Sequence, residues 1–213
     1  MTDIRKDNFK LAAGVILAAV LWFIMFSPWT APHVNFWLTM TCAGIILSSY
    51  AVWADRNLPA YKIHLGWKDL GLGILIAVVL WGVFWTGDKL SQLMFGFARG
   101  QVDLIYAMRD GENPAVISLL LLLIIGPAEE FFWRGYLQRN LSEKWNPNIG
   151  FIVTLLLYTM IHLPKMNFML IMAAMVAGAI WGLLYRFFPE RLGALIISHA
   201  LWDAAVFVWF PIM

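Results

Sequence analysis

Three groups of side chains that can hold or move a proton fall in the second half of the chain: Glu129, Glu130 and Arg134; Tyr158 and His162; His199 and Asp203. A carboxylate can take a proton from water, and an imidazole can hold that water or donate to a developing oxyanion. Their setting makes them unusual. The glutamates follow "NPAVISLLLLLII", a run suited to the interior of a membrane. An isolated charge at a helix centre in lipid costs roughly 2.5–3.5 kcal/mol on insertion scales, so Glu129, Glu130 and Asp203 together would cost about 8–10 kcal/mol. They must therefore be paired, protonated or wetted by a cavity.

Helix geometry sorts the first group. Glu130 and Arg134 stand at i and i+4, with the glutamate N-terminal, the better orientation for an ion pair. Glu129 is turned about 100° away, which leaves it free of Arg134. Gly126-Pro127 removes a backbone hydrogen bond and leaves the Leu123 carbonyl seeking a partner, so a kink is expected there.

The turn signal "EKWNPNIG" reverses the chain near Asn146-Pro147. In an antiparallel hairpin centred there, Glu130 lies level with His162 and Arg134 with Tyr158, and Pro164 ends the second helix. His199 and Asp203 share one face at i and i+4. Counted from a turn near Pro189-Glu190, the depth of Asp203 differs from that of Glu130 by about 4–5 Å at 1.5 Å per residue. Three helices can thus bring Glu129, His162, His199 and Asp203 to one buried spot. Taken singly, a Glu–Arg pair is a packing device, a histidine at a span end is interfacial, and a His–Asp pair satisfies itself. Their coincidence at one depth favours a site. His33 and His64 lie in polar loops and read as solvated surface.

The elements that must position these groups are membrane helices. Of the residues 62% are hydrophobic and 13% charged, with a mean hydropathy of +0.74; a soluble domain would carry about twice that charged fraction. A net charge of +2 gives no reason to expect a nucleic-acid partner. Apolar stretches at about 10–28, 34–54, 70–87, 114–133, 149–164, 167–186 and 192–210 predict an all-α, polytopic bundle of seven spans. Residues 1–213 read as a single integral membrane domain. The first stretch has the basic flank of a signal peptide but no small-x-small site after it, so an uncleaved span is expected.

Eleven Lys and Arg fall on one side of the connections (Arg5, Lys6, Lys10, Arg56, Lys62, Lys68, Arg134, Arg139, Lys144, Arg186 and Arg191) and four on the other (Lys89, Arg99, Arg109 and Lys165). That asymmetry predicts a cytoplasmic N-terminus. Trp29, Trp37, Trp53, Trp67, Trp85, Trp145 and Trp209 lie near span ends, as an aromatic belt would. Segment 88–112, with apolar residues at helical spacing and Arg99 and Asp103 on another face, reads as an interfacial helix, either a connector or a lid. Ala174, Gly178 and Gly182 form a small-residue ridge for close helix packing. The single cysteine, Cys42, fits no disulfide or metal spacing and reads as buried and structural.

With these residues in hand, a family resemblance emerges. "EEFFWR" resembles an E-E-x-x-x-R motif, "YTMIH" an aromatic-x-x-x-H motif and "HALWD" an H-x-x-x-N/D motif. In that order, on late spans, they resemble the CPBP family, which includes type II CAAX prenyl endopeptidases and bacteriocin-processing and immunity proteins. The likeness covers about residues 114–210, a core of four helices. It implies a glutamic intramembrane endopeptidase with a catalytic set of Glu129, Glu130, Arg134, His162, His199 and Asp203. By that resemblance Glu129 is the base for water, His162 holds or helps activate that water, and His199 donates to the oxyanion. Two departures stand out. Tyr158 replaces the commoner Phe and adds a hydroxyl. Asp203 stands where many members have Asn, and can donate to an oxyanion only when protonated; orienting His199 is the preferred role.

The resulting expectation is hydrolysis of a peptide bond in or near the bilayer, on a peptide or membrane-protein substrate, with no cofactor. Two histidines and two carboxylates could ligate zinc, but H-E-x-x-H is absent and the resemblance implies a metal-free site. The alternative is a non-catalytic immunity or peptide-binding protein of the same family. A proton-relay transporter would predict inverted repeats, which the sequence does not contain. The compact chain points to a bacterial inner membrane.

Overall fold

The computed structural model describes residues 2–55, 63 and 65–212, with side chains from residue 8 onward. The side chains of Arg5 and Lys6, and residues Arg56, Lys62 and His64, on which some of the charge and loop expectations rest, lie outside the described residues.

The described chain is all-helical, and seven helices are long and apolar enough to cross a membrane: Asn8–Phe26, Phe36–Ala54, Trp67–Met94, Pro114–Lys144, Pro147–Lys165, Phe168–Phe187 and Pro189–Trp209. This is an integral membrane protein. The helices are α1 (Thr2–Phe26), α2 (Phe36–Ala54), α3 (Trp67–Met94), α4 (Ala98–Tyr106), α5 (Pro114–Lys144), α6 (Pro147–Met160), α7 (Phe168–Phe187) and α8 (Leu192–Ala204). Asparagine starts four of them. Asn35, Asn113, Asn146 and Asn167 each accept a backbone N–H of the first turn of α2, α5, α6 and α7. In α5 and α6 proline follows directly, where its missing N–H costs nothing.

At the Gly126-Pro127 step the helix departs from regular α geometry. The helix widens to π-turns at Leu121–Ile125 and Phe131–Gln138, on either side of Gly126–Glu130, and continues to Lys144, beyond the expected end at 133. The Gly126 N–H reaches back to the Leu121 carbonyl, five residues away. Such local widening absorbs a proline inside lipid.

Three further expectations are corrected. Residues 88–94 belong to α3 rather than to an interfacial helix, and the buried Asp88 takes a hydrogen bond on Oδ2 from Gln92 one turn further along it. Only α4 and a 3₁₀ turn at Ala107–Arg109 remain as the connector. Trp37 is buried and donates to the Met108 carbonyl instead of joining the lipid-facing belt. Cys42 is exposed on α2 rather than buried; in lipid an apolar thiol loses nothing by facing outward. His33 is exposed, as a loop residue should be.

The connector is tied down along its length. The Gln101 carbonyl and side chain accept from Asn167 and Met169, Tyr106 accepts from the Ile212 N–H, and Arg109 donates to the Phe207 carbonyl. Burial pushes the Tyr106 phenol up from its ordinary value, so its hydroxyl stays protonated while it accepts.

The site is positioned by close approach of α5, α6, α7 and α8. A Cβ on Gly126 would meet the Ala200 backbone at 2.7 Å, so α5 and α8 touch backbone to backbone beside His199. The small-residue ridge of α7 does the same for α6: a Cβ on Gly178 would lie 2.9 Å from the Tyr158 ring. It also lets α5 reach the α7 backbone, with Arg134 and Gln138 donating to the Gly178 and Gly182 carbonyls.

Candidate active site

The expected Glu130–Arg134 pair forms. Arg134 Nη1 donates to Glu130 Oε1 at 2.8 Å, and both side chains are almost completely buried. Arg134 also lies over the Tyr158 and Trp181 rings, with its guanidinium carbon 5.1 and 5.8 Å from their centroids. These two charges stand behind the cavity rather than on it.

Glu129, turned away from Arg134, lines a cavity of about 520 Å³ together with Tyr158, His162, His199 and Asp203. The polar end is small. The remaining wall is largely apolar, built by residues such as Met40, Phe84, Met94, Ile105 and Phe168 from four other helices, with Trp202 from α8 itself.

Across α5 and α6 the Arg134 guanidinium lies over the Tyr158 ring, the pair expected at one level, and Glu129 and His162 line the same cavity. Glu129 accepts a hydrogen bond from the Tyr158 hydroxyl at 2.8 Å. His162 lies beyond the end of α6, in a turn where its N–H bonds to the Thr159 carbonyl. The π-turns of α5 alter the spacing that a uniform 3.6-residue helix would give, and α6 stops at Met160, four residues before Pro164.

Both ring nitrogens of His162 are engaged. Trp22 Nε1 of α1, a donor only, bonds to His162 Nε2 at 3.2 Å. Nδ1 must then carry the proton, and it donates to the Tyr158 carbonyl at 2.8 Å. The first span is thereby part of the site.

His199 is held differently from the expectation. His199 Nδ1 donates to Glu130 Oε1 at 2.8 Å, while Asp203 Oδ2 stands 3.5 Å from Nε2. The orienting carboxylate is thus Glu130, which Arg134 keeps in place, and Asp203 faces the cavity beside the other nitrogen. Trp181 stacks on the imidazole, with ring centroids 3.8 Å apart and planes 16° from parallel. His199 can neither tilt nor swing without breaking one of these contacts.

Among the described residues, no three His, Cys, Asp or Glu side chains are grouped as ligands for one metal ion.

The sequence placed Tyr158 among the candidate groups without giving its hydroxyl a partner, and it did not identify Trp22 or Trp181 as site groups. Trp181 had a usable signal. In a hairpin centred near residue 190, positions 181 and 199 lie at one level, by the same rule that paired α5 with α6. Trp22 had none, because nothing local ties the first span to the sixth helix.

The packing carries a testable consequence. Gly178→Ala places a methyl against Tyr158, whose ring is already pressed on Trp133 with centroids 5.2 Å apart. Overpacking of this kind costs about 1–3 kcal/mol. Unfolding in mixed micelles should show a loss in that range, and wild-type stability would mean that α6 and α7 separate freely.

Comparison with curated proteins and with solved structures gives no match. Comparison with protein families gives one: residues 111–205 match the family described as type II CAAX prenyl endopeptidase Rce1-like.

Proposed function

Since residues 111–205 form a type II CAAX prenyl endopeptidase Rce1-like domain, we propose that this membrane protein hydrolyses a peptide bond with water activated by Glu129. The observation that carries the reading is the division of labour between adjacent glutamates. Glu130 is buried behind the cavity with Oε1 shared by Arg134 and His199, whereas Glu129 faces the cavity and takes one hydrogen bond, from Tyr158.

In the proposed reaction Glu129 takes a proton from a water in the cavity, and the hydroxide oxygen attacks the scissile carbonyl carbon. The oxyanion forms near His199, whose Nε2 side opens toward Asp203 and the cavity; an N–H there, or a protonated Asp203, stabilises it. The tetrahedral intermediate collapses with cleavage of the C–N bond, and the proton held by Glu129 passes to the leaving amine. Trp181 and Glu130 hold His199 ready. His162 acts as the wall of the water site, since it can bind water only by giving up Trp22 or the Tyr158 carbonyl.

The largely apolar wall suits a peptide that presents apolar side chains or a membrane segment. The Lys and Arg asymmetry supports a cytoplasmic N-terminus. No step requires a metal, so cleavage should survive exhaustive chelation unchanged; activity lost to a chelator and restored by zinc would reject the metal-free reading.

The decisive experiment compares the termini of membrane proteins and released peptides in cells carrying wild type or Glu129→Gln. New termini should occur with the wild type and vanish with the variant. Identical termini in both would reject proteolysis by Glu129 and leave a peptide-binding cavity.

A further inference from the structure

Tyr158 brings to the site a hydroxyl that the commoner phenylalanine would lack. Its position is over-determined. Trp133 packs edge-on against the ring, the Arg134 guanidinium lies over it, and a Cβ on Gly178 would press its flank. The Tyr158 carbonyl is fixed as the acceptor of His162 Nδ1–H. A side chain so enclosed delivers its hydroxyl to one place, and that place is Glu129 Oε2, at 2.8 Å. Among the described residues the other oxygen, Oε1, has no hydrogen-bond partner.

We propose that Tyr158 is a positioning residue for the Glu129 carboxylate: it occupies Oε2 and leaves Oε1 as the oxygen that exchanges the proton with water and leaving amine. This rests on the assignment of Glu129 as base. The physical basis is orientational. A carboxylate bound at one oxygen by a fixed donor presents the lone pairs of the other in a fixed direction, whereas a free carboxylate rotates about its last torsion and meets water productively only part of the time. The tyrosine proton stays on Tyr158 throughout; only the water proton moves, onto Oε1 and then to the amine nitrogen.

Tyr158→Phe keeps the ring and its packing and removes the hydroxyl alone. Wild type, Tyr158→Phe and Glu129→Gln are compared in lipid vesicles on a quenched peptide spanning the cleavage site found by the terminal comparison, and as purified protein by infrared spectroscopy. For Tyr158→Phe the expected result is a kcat lower by about tenfold, the usual scale for a hydrogen bond to an ionised group. KM should stay within about twofold, because ground-state binding is untouched, and the melting temperature should fall by no more than a few degrees, the scale of one lost hydrogen bond. The carboxyl band assigned to Glu129 by its loss in Glu129→Gln should shift in Tyr158→Phe, a readout that needs no substrate. An unshifted band, or wild-type kcat with Glu129→Gln inactive, overturns the positioning role and leaves the base assignment standing. A fall in kcat accompanied by a melting temperature lowered by about ten degrees or more also overturns it, as a packing effect. Full activity in Glu129→Gln overturns the base assignment itself.

Discussion

Glu129→Gln should lower kcat/KM by about two to four decades, the usual scale of general acid-base help, without loosening the fold. The two halves of that expectation come from one hydrogen bond. A glutamine is the same size as a glutamate, and its amide oxygen can still accept from the Tyr158 hydroxyl, so the α5–α6 contact survives. Its amide cannot take a proton from water. The oxyanion donors around His199 are untouched, which is why some turnover over the uncatalysed rate should persist. The comparison variant is Glu130→Gln, one residue away on the same helix. It should damage stability first, because Glu130 Oε1 serves both Arg134 and His199. Kinetics in vesicles with unfolding in mixed micelles separate the two. A Glu129→Gln enzyme within tenfold of wild type would end the assignment.

The contrast between the glutamates was legible in the sequence because it depends only on helical spacing. An i,i+4 pair is a local fact, and no tertiary rearrangement hides it. The seven spans were legible for a similar reason: twenty apolar residues in a row have few other uses. What escaped is what depends on register between helices. The π-turns flanking Gly126–Glu130 follow from Pro127, but how many residues they insert is decided by the fit of α5 against α6 and α8. In that fit the Tyr158 hydroxyl reaches Glu129 while the Tyr158 ring lies under Arg134. Glu130 as a second partner of His199 was missed on the same ground, since Asp203 at i+4 was the nearest acid in sequence while Glu130 is the nearer in space. Trp22 lies in a span that the family match does not reach. It has no neighbour in sequence that hints at chemistry, yet it decides which nitrogen of His162 carries the proton. Aromatic belts misled in one instance: a tryptophan near a span end is as able to close a cavity as to face the headgroups, and Trp37 does the former.

Arg134→Met should be the most destabilising substitution at the site, at about 3–5 kcal/mol, the scale for breaking a buried ion pair from one side. Arg134 contributes at least four contacts: Glu130, the Gly178 carbonyl and the faces of Tyr158 and Trp181. Removing it strands the Glu130 carboxylate in a site with no access to water, with His199 as its remaining hydrogen-bond partner. Arg134→Lys should recover little, because an ammonium is a compact point charge and does not reproduce the planar fork that meets Glu130 and Gly178 together. The informative rescue is the double variant Glu130→Gln with Arg134→Met. It removes the stranded charge while the introduced amide oxygen still accepts from His199, so it should regain more than half of the lost stability. A simple sum of two losses would instead mean that Arg134 acts chiefly through α7 and the aromatic faces. Unfolding in mixed micelles across the four proteins measures the coupling directly. A single-variant loss below about 1 kcal/mol, the scale of a solvent-exposed pair, would show that water reaches Glu130 after all. The two glutamates would then differ less in environment than their separate roles require.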